Sequence, residues 1–201
     1  VATVQALARQ AGGPPLFVVP LGLKAWFARR GIAEVVELDW WQTERLRGVE
    51  VTLTPVRHWS SRTLGDRMAS LWGGFAVLAP DMHLYFGGDT GYSPSNFIDT
   101  RAHFAERQSA ANGGGFDLAL LPIGAYEPRW FMAPQHVNPE ESVRIHRELG
   151  AKRSLGIHWG TFKLTNEPLD EPPRKLAEML QAAGLAAQDF SVTAIGAPLR
   201  L

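Results

Sequence analysis

Three apolar runs in this chain each stop and hand over a side chain of the kind that binds metals. The run Leu84-Tyr85-Phe86 ends at Gly87-Gly88 and delivers Asp89 into the turn Asp89-Thr90-Gly91-Tyr92. Alternation from Glu50 to Pro55 reads as a half-buried strand, and His58 follows it in the loop Val56 to Gly65. Leu155-Gly156-Ile157 reads as a short strand leading to His158. Such strands alternate with helix-period segments through the chain, so the fold class is α/β, or layered α+β. Ligand sites in α/β sheets collect beyond the carboxyl ends of strands. His58, Asp89 and His158 are therefore predicted to converge at one sheet edge.

The other elements follow from the same periodicities. Val4, Leu7 and Ala8 keep helical spacing, and Gly12-Gly13-Pro14-Pro15 ends that helix. Leu16–Val19 and Val35–Leu38 read as strands around a helix carrying Leu23, Trp26 and Phe27. Leu71–Leu78 and Leu84–Gly88 pair about the turn at Pro80-Asp81, and residues 97–107 look helical. Phe116–Leu121 is a strongly apolar strand. Asn138-Pro139-Glu140-Glu141 opens a helix with a capping Asn, Pro at the first position and Glu three residues after the cap. That helix ends at Gly150; Leu176, Met179, Leu180 and Ala183 mark another, and Phe190–Ile195 reads as a last strand.

Composition decides what can bind. The 201 residues contain no cysteine, so thiolate ligands are excluded and a metal must use His, Asp and Glu. Two imidazoles and a carboxylate suit zinc or a similar divalent ion. Lys+Arg and Asp+Glu are 20 each, with no basic stripe, which gives no electrostatic support for a nucleic-acid partner. No apolar run approaches the roughly 20 residues of a spanning helix. Among the other histidines, His83 lies in a tight turn and is expected to be solvated. His103 and His146 stand beside charged residues in helices and are expected at the surface. His136 follows the aromatic-rich stretch Tyr126-Glu127-Pro128-Arg129-Trp130-Phe131, which reads either as a packed loop or as a substrate wall.

The residues also carry a resemblance. Arg57-His58-Trp59, Gly88-Asp89-Thr90-Gly91-Tyr92 and Ile157-His158-Trp159-Gly160-Thr161-Phe162 resemble the later metal motifs of the metallo-β-lactamase fold. Pro20-Leu21-Gly22-Leu23, Glu37-Leu38-Asp39-Trp40-Trp41, the long stretch from Leu121 to Met132, and Gln135-His136-Val137-Asn138-Pro139-Glu140-Glu141 are similar to the N-acylphosphatidylethanolamine-hydrolysing phospholipase D family. The resemblance implies an αββα sandwich with a dinuclear zinc site. His58 would hold the first zinc, His158 the second, and Asp89 would bridge them and assist proton transfer. His136 would contact substrate. Trp59, Trp159, Tyr126 and Trp130 would pack around the site.

The same resemblance implies hydrolysis of N-acylphosphatidylethanolamine to N-acylethanolamine and phosphatidic acid. The partner would be a phospholipid, met at the membrane surface by a peripheral, cytoplasmic protein, and a homodimer is compatible with it. The leading His-x-His-x-Asp-His motif is absent, leaving three of seven expected ligands. Residue 1 is Val. The expectation is a single domain over 1–201, roughly the C-terminal two-thirds of the full sandwich and incomplete at its N-terminus. Such a chain alone should be inactive. Two other readings stand beside this one: a related hydrolase acting on another phosphodiester or a lactone, and a metal-free degenerate binding domain.

Overall fold

The structure is a computed structural model and describes residues 1–198; the last three residues of the expected domain lie outside them. Two sheets form. Phe17–Pro20 (β1) and Val35–Leu38 (β2) pair in parallel. Ala2–Ala8 (α1) and Lys24–Ala28 (α2) flank them, and Val19, Leu23, Phe27, Ile32 and Val35 close a small core with Val4, Ala8 and Trp26. The larger sheet has seven strands in sequence order: Thr43–Leu46 (β3), Val49–Thr54 (β4), Gly74–Ala79 (β5), Met82–Phe86 (β6), Leu118–Pro122 (β7), Ser154–Ile157 (β8) and Phe190–Ser191 (β9). Pairing is antiparallel from β3 to β6 and parallel from β6 to β9. Strand β4 therefore runs the same way as β6, β7 and β8.

One face of this sheet is sealed by Asn96–Asn112 (α3), Pro139–Leu149 (α5) and Glu171–Ala183 (α6). Alternation selects what faces them. Ala76, Leu78, Tyr85, Ala119 and Leu121 point in and meet Phe97, Phe104, Phe116, Ile145, Leu149, Leu176 and Leu180. The Tyr85 and Phe116 rings lie 5.4 Å apart, and burial pushes the Tyr85 phenol up to about 12. Helix α5 starts as its sequence demands. The Asn138 side chain accepts from Glu141 N at 2.9 Å, and the Glu141 carboxylate accepts from Asn138 N at 3.0 Å. The Ser142 hydroxyl then donates to the Pro122 carbonyl, fixing α5 to the end of β7.

The opposite face is apolar and only half covered. Phe75, Phe86, Leu120 and Leu155 are register partners and form a row across four strands. Phe86 is exposed and the other three are half-buried. Beside the row, Leu16 and Val18 face Leu46, Val49 and Val51 across a cavity of about 280 Å3, so the small sheet stacks over one end of the large one. The layer order is helices, small sheet, large sheet, helices.

Several expectations are corrected. Strand β6 begins at Met82, so His83 alternates with Tyr85 onto the covered face; it is buried, and its backbone N–H donates to Asp117 Oδ2 at 2.7 Å. His146 shares the buried stripe of Ser142, Ile145 and Leu149, and its Nδ1 lies 2.8 Å from Ser154 Oγ. His103 is exposed as expected and stacks on Trp41. Strand β3 has no apolar alternation and was not anticipated; it forms because Thr43–Leu46 folds back on β4, with the Thr43 and Thr52 hydroxyls 2.7 Å apart. The last strand is Phe190–Ser191, shorter than the expected Phe190–Ile195, because only these residues pair with β8. Removing the reciprocal cap by Asn138→Ala is expected to cost about 1 kcal/mol, measured as a lower urea midpoint at unchanged m-value. An unchanged midpoint would show that the cap is redundant.

Candidate metal centre

The common direction of β4, β6, β7 and β8 brings four carboxyl ends to one edge. Asp89 leaves β6 through Gly88, whose φ of +59° suits glycine and turns the chain sharply. Thr90, fully buried, then joins three segments. Its Oγ1 accepts from Arg57 N at 3.1 Å, Gly91 N donates to Arg57 O at 2.7 Å, and Thr90 O accepts from Val137 N at 2.8 Å. His58 follows Arg57 and His136 precedes Val137, so one threonine places both imidazoles beside Asp89. His158 follows β8 directly with a φ of 59°, an uncommon conformation for a side-chain-bearing residue and one that clusters at functional sites.

All four side chains meet. One ligand atom each from His58, Asp89 and His136 lies within 4.8 Å of the others. His158 Nε2 stands 3.3 Å from Asp89 Oδ1. The His136 ring is edge-on to His58 at 5.1 Å and stacked on His158 at 5.3 Å. The three strand-end residues anticipated from sequence thus share one edge with His136, the residue that the resemblance implied as a substrate contact.

The electrostatics follow from burial and from Asp89. His58 Nδ1 lies 2.7 Å from the Trp59 carbonyl, which can only accept; Nδ1 therefore carries the proton and Nε2 keeps its lone pair. His58 Nε2 and His136 Nδ1 are buried with no hydrogen-bond partner. Leaving a buried polar atom unpaired costs about 1–3 kcal/mol, which a cation at His58 and a bound ligand at His136 would offset. Burial lowers His136 to about 4, so it stays neutral at ordinary pH. Burial pushes the Asp89 carboxyl up, but its hydrogen bond with His158 and the neighbouring imidazoles hold it below the usual range. The hydrogen bond to Asp89 raises His158 against the opposing effect of burial. Neutral imidazoles plus an ionised carboxylate are a donor set that zinc accepts, so the residues present fit a divalent metal.

The aromatic-rich stretch is packed at its start and exposed at Trp130 and Phe131. Ala125 and Tyr126 are buried, and Arg129–Met132 forms a short helix, α4. Arg129 donates to His136 O at 2.9 Å and to Glu141 Oε2 at 2.8 Å, so its guanidinium holds the protein together. Trp59 stacks on His58 and donates to Gln135 Oε1 at 2.9 Å. Trp159 donates to Gly156 O at 3.2 Å, whereas Trp130 is 84% exposed and packs against little. Thr90, Gln135 and Glu167 support the site without having been anticipated, since their partners are mostly backbone groups.

The model of the β-lactamase superfamily domain matches residues 1–159. The chain belongs to this superfamily. It is 40% identical over 174 residues to N-acyl-phosphatidylethanolamine-hydrolyzing phospholipase D 1 of Caenorhabditis elegans, covering 82% of this chain and 46% of that protein. It is 39% identical over 175 residues to the mitochondrial N-acyl-phosphatidylethanolamine-hydrolyzing phospholipase D of Saccharomyces cerevisiae, covering 85% of this chain and 36% of that one. The chain thus spans less than half the length of either relative. Its fold matches that of a metallo hydrolase from Ignicoccus hospitalis, with a TM-score of 0.64, 19% identity, and coverage of 94% of this chain and 68% of that one.

Affinity for a divalent metal such as zinc is expected to fall as pH drops. A metal must displace any proton from a ligating imidazole, and Asp89 raises the pKa of His158 above its ordinary value. Below that raised value affinity is expected to fall by about tenfold per pH unit. His136, held near 4, contributes nothing to the loss above pH 5. Calorimetric zinc titrations at pH 8, 7 and 6 measure this; a flat profile would remove His158 from the ligand set.

Proposed function

We propose that this chain carries part of the active site of a zinc-dependent phosphodiesterase of phospholipase D type, acting on N-acylphosphatidylethanolamine. The observation that carries the reading is the cluster of His58, Asp89, His136 and His158 at one sheet edge, in a chain closely similar to two enzymes named for that reaction. In this reading His58, Asp89 and His158 hold the metal. Two zinc ions are proposed for the whole protein. Bound zinc supplies Lewis-acid polarisation of a phosphoryl oxygen and a water of lowered pKa.

The chain's own residues divide the remaining work. His58 presents Nε2 because the Trp59 carbonyl occupies Nδ1. Asp89 remains a carboxylate at neutral pH and can take a proton from an attacking water or return one to the leaving alcohol. His136 is neutral, and its fixed backbone aims it at the same space, where its ring can hydrogen-bond a phosphodiester oxygen. Exposed apolar side chains stand on both segments flanking the site. Trp130 and Phe131 lie on α4, just before His136, and Phe162 and Leu164 follow His158. Phe162 is 73% exposed and lines a pocket of about 270 Å3 with His158, Trp159 and Leu164. Exposed aromatics and leucines beside a polar site suit a lipid surface, with the headgroup entering the site and the chains staying outside.

In the whole protein, Asp89→Asn is expected to lower turnover by about a hundredfold or more. His136→Ala should lower substrate use while leaving the zinc content unchanged. Release of N-acylethanolamine from vesicles containing N-acylphosphatidylethanolamine, alongside zinc analysis, measures both. Full activity in the Asp89 variant, or zinc lost from the His136 variant, contradicts these roles. Hydrolysis of bis(p-nitrophenyl) phosphate with no release from the vesicles would keep the phosphodiesterase and remove the lipid.

A further inference from the structure

Glu167 supplies no atom to the imidazole cluster, yet it is 7% exposed and fully engaged. Its Oε1 accepts from Ala125 N at 2.7 Å and Tyr126 N at 3.2 Å, and its Oε2 accepts from Glu127 N at 3.1 Å. Three consecutive backbone N–H groups therefore converge on one carboxylate, the cradle in which proteins bind anions, filled here by the chain's own side chain. Ala125 at the head of the cradle has a φ of 63°, a conformation such concave turns require. The attachment is reciprocal: Asn166 N donates to Glu127 O at 3.4 Å.

The cradle touches the site from two sides. Upstream, Gly124 lies so close to the end of β8 that a Cβ there would stand 2.4 Å from His158 O. Downstream, Pro128 accepts from Phe131 N and Met132 N, both at 3.0 Å, and so starts α4. Arg129 in that helix donates to His136 O at 2.9 Å, and Met132 O accepts from His136 N at 2.8 Å. Glu167 itself sits on the segment that leaves His158. The Glu167 carboxylate thus closes a loop of contacts that includes the backbones of both His136 and His158.

We propose that Glu167 is a positioning residue: by locking the backbone of Ala125, Tyr126 and Glu127 it sets where His136 and His158 stand relative to one another. The proposal rests on the function given above only in taking those two histidines to act at the site. Both Glu167 oxygens are taken by backbone donors, so the carboxylate is committed to holding the backbone. Glutamine in its place would turn an NH2 group toward the donor at Glu127 or toward those at Ala125 and Tyr126.

The test compares Glu167→Gln and Glu167→Asp with Asp117→Asn in the whole protein loaded with cobalt(II). Asp117 is the matched control. It also accepts a backbone N–H, from His83 at 2.7 Å, and binds Lys152 at 2.9 Å, but at the opposite end of β7. Glu167→Gln is expected to speed amide exchange at residues 125–127, alter the visible cobalt spectrum and weaken cobalt binding by about tenfold. It should lower kcat on bis(p-nitrophenyl) phosphate by about a hundredfold with little change in KM. Glu167→Asp, which keeps the charge, should recover part of each loss. Asp117→Asn should lower the melting temperature and leave the cobalt spectrum and kcat as they are. A Glu167→Gln protein that loses amide protection at 125–127 but keeps the wild-type cobalt spectrum, affinity and kcat overturns the proposal. If Glu167→Gln does not fold, Glu167→Asp decides on the same readouts. A wild-type protein that binds cobalt but cleaves no phosphodiester refutes the proposed function, while the cobalt comparison still decides the role of Glu167.

Discussion

Strand direction is the constraint on which this molecule depends. A side chain just past a strand's carboxyl end can meet another only if both strands run the same way. Parallel pairing of β6, β7 and β8 satisfies this directly, and two antiparallel steps through β5 bring β4 into the same sense. His58, Asp89 and His158 then leave at one edge, and the segment after β7 returns His136 to it. The edge is held by backbone hydrogen bonds between segments far apart in sequence, centred on Thr90. Sheet register is itself guarded: a slip of one residue would carry Tyr85, Ala119 and Leu121 away from the helices they pack on.

Much of this was legible because it is local. Asn138, Pro139 and Glu141 announce a capped helix within four residues, and the cap forms as written. The apolar runs before Asp89 and His158 mark strands by themselves, and a chain of alternating elements limits where their ends can go. What was not legible depends on partners distant in sequence. His146 stands beside Arg147 and Glu148, which makes it look solvated, but the stripe that decides burial passes through Ser142, Ile145 and Leu149. His83 changed sides because β6 starts at Met82 rather than Leu84, and a shift in a strand boundary alone alters which residues are seen to alternate. Strand β3 has polar residues at Thr43, Glu44 and Arg45 and exists through pairing with β4.

Glu167 shows the limit most clearly. Its neighbours Asn166 and Pro168 carry no motif, and its partners are amide groups, which every residue but proline has. No pattern of side chains can reveal a carboxylate that binds backbone about 40 residues away. His136 is intermediate. Its loop was conspicuous, but whether it packed or walled the site depended on where Arg129 turned, which is inward to Glu141 and to the His136 carbonyl.

The charge state of the cluster ties the fold to the chemistry. Burial disfavours a proton on His136, and the carbonyl beside His58 leaves one of its nitrogens as an acceptor. Asp89 supplies the single carboxylate among the four residues, and His158 beside it favours its ionised form. Without a metal this edge is a carboxylate facing imidazoles, and His158 binds a proton more readily than an ordinary histidine. A divalent cation would take that proton's place, give the orphaned His58 nitrogen a partner, and leave the local charge positive. A positive site would attract an anion. Metal binding and anion recognition would then be the same electrostatic event, arranged by a fold that keeps His136 buried enough to stay neutral and its one carboxylate paired enough to stay charged.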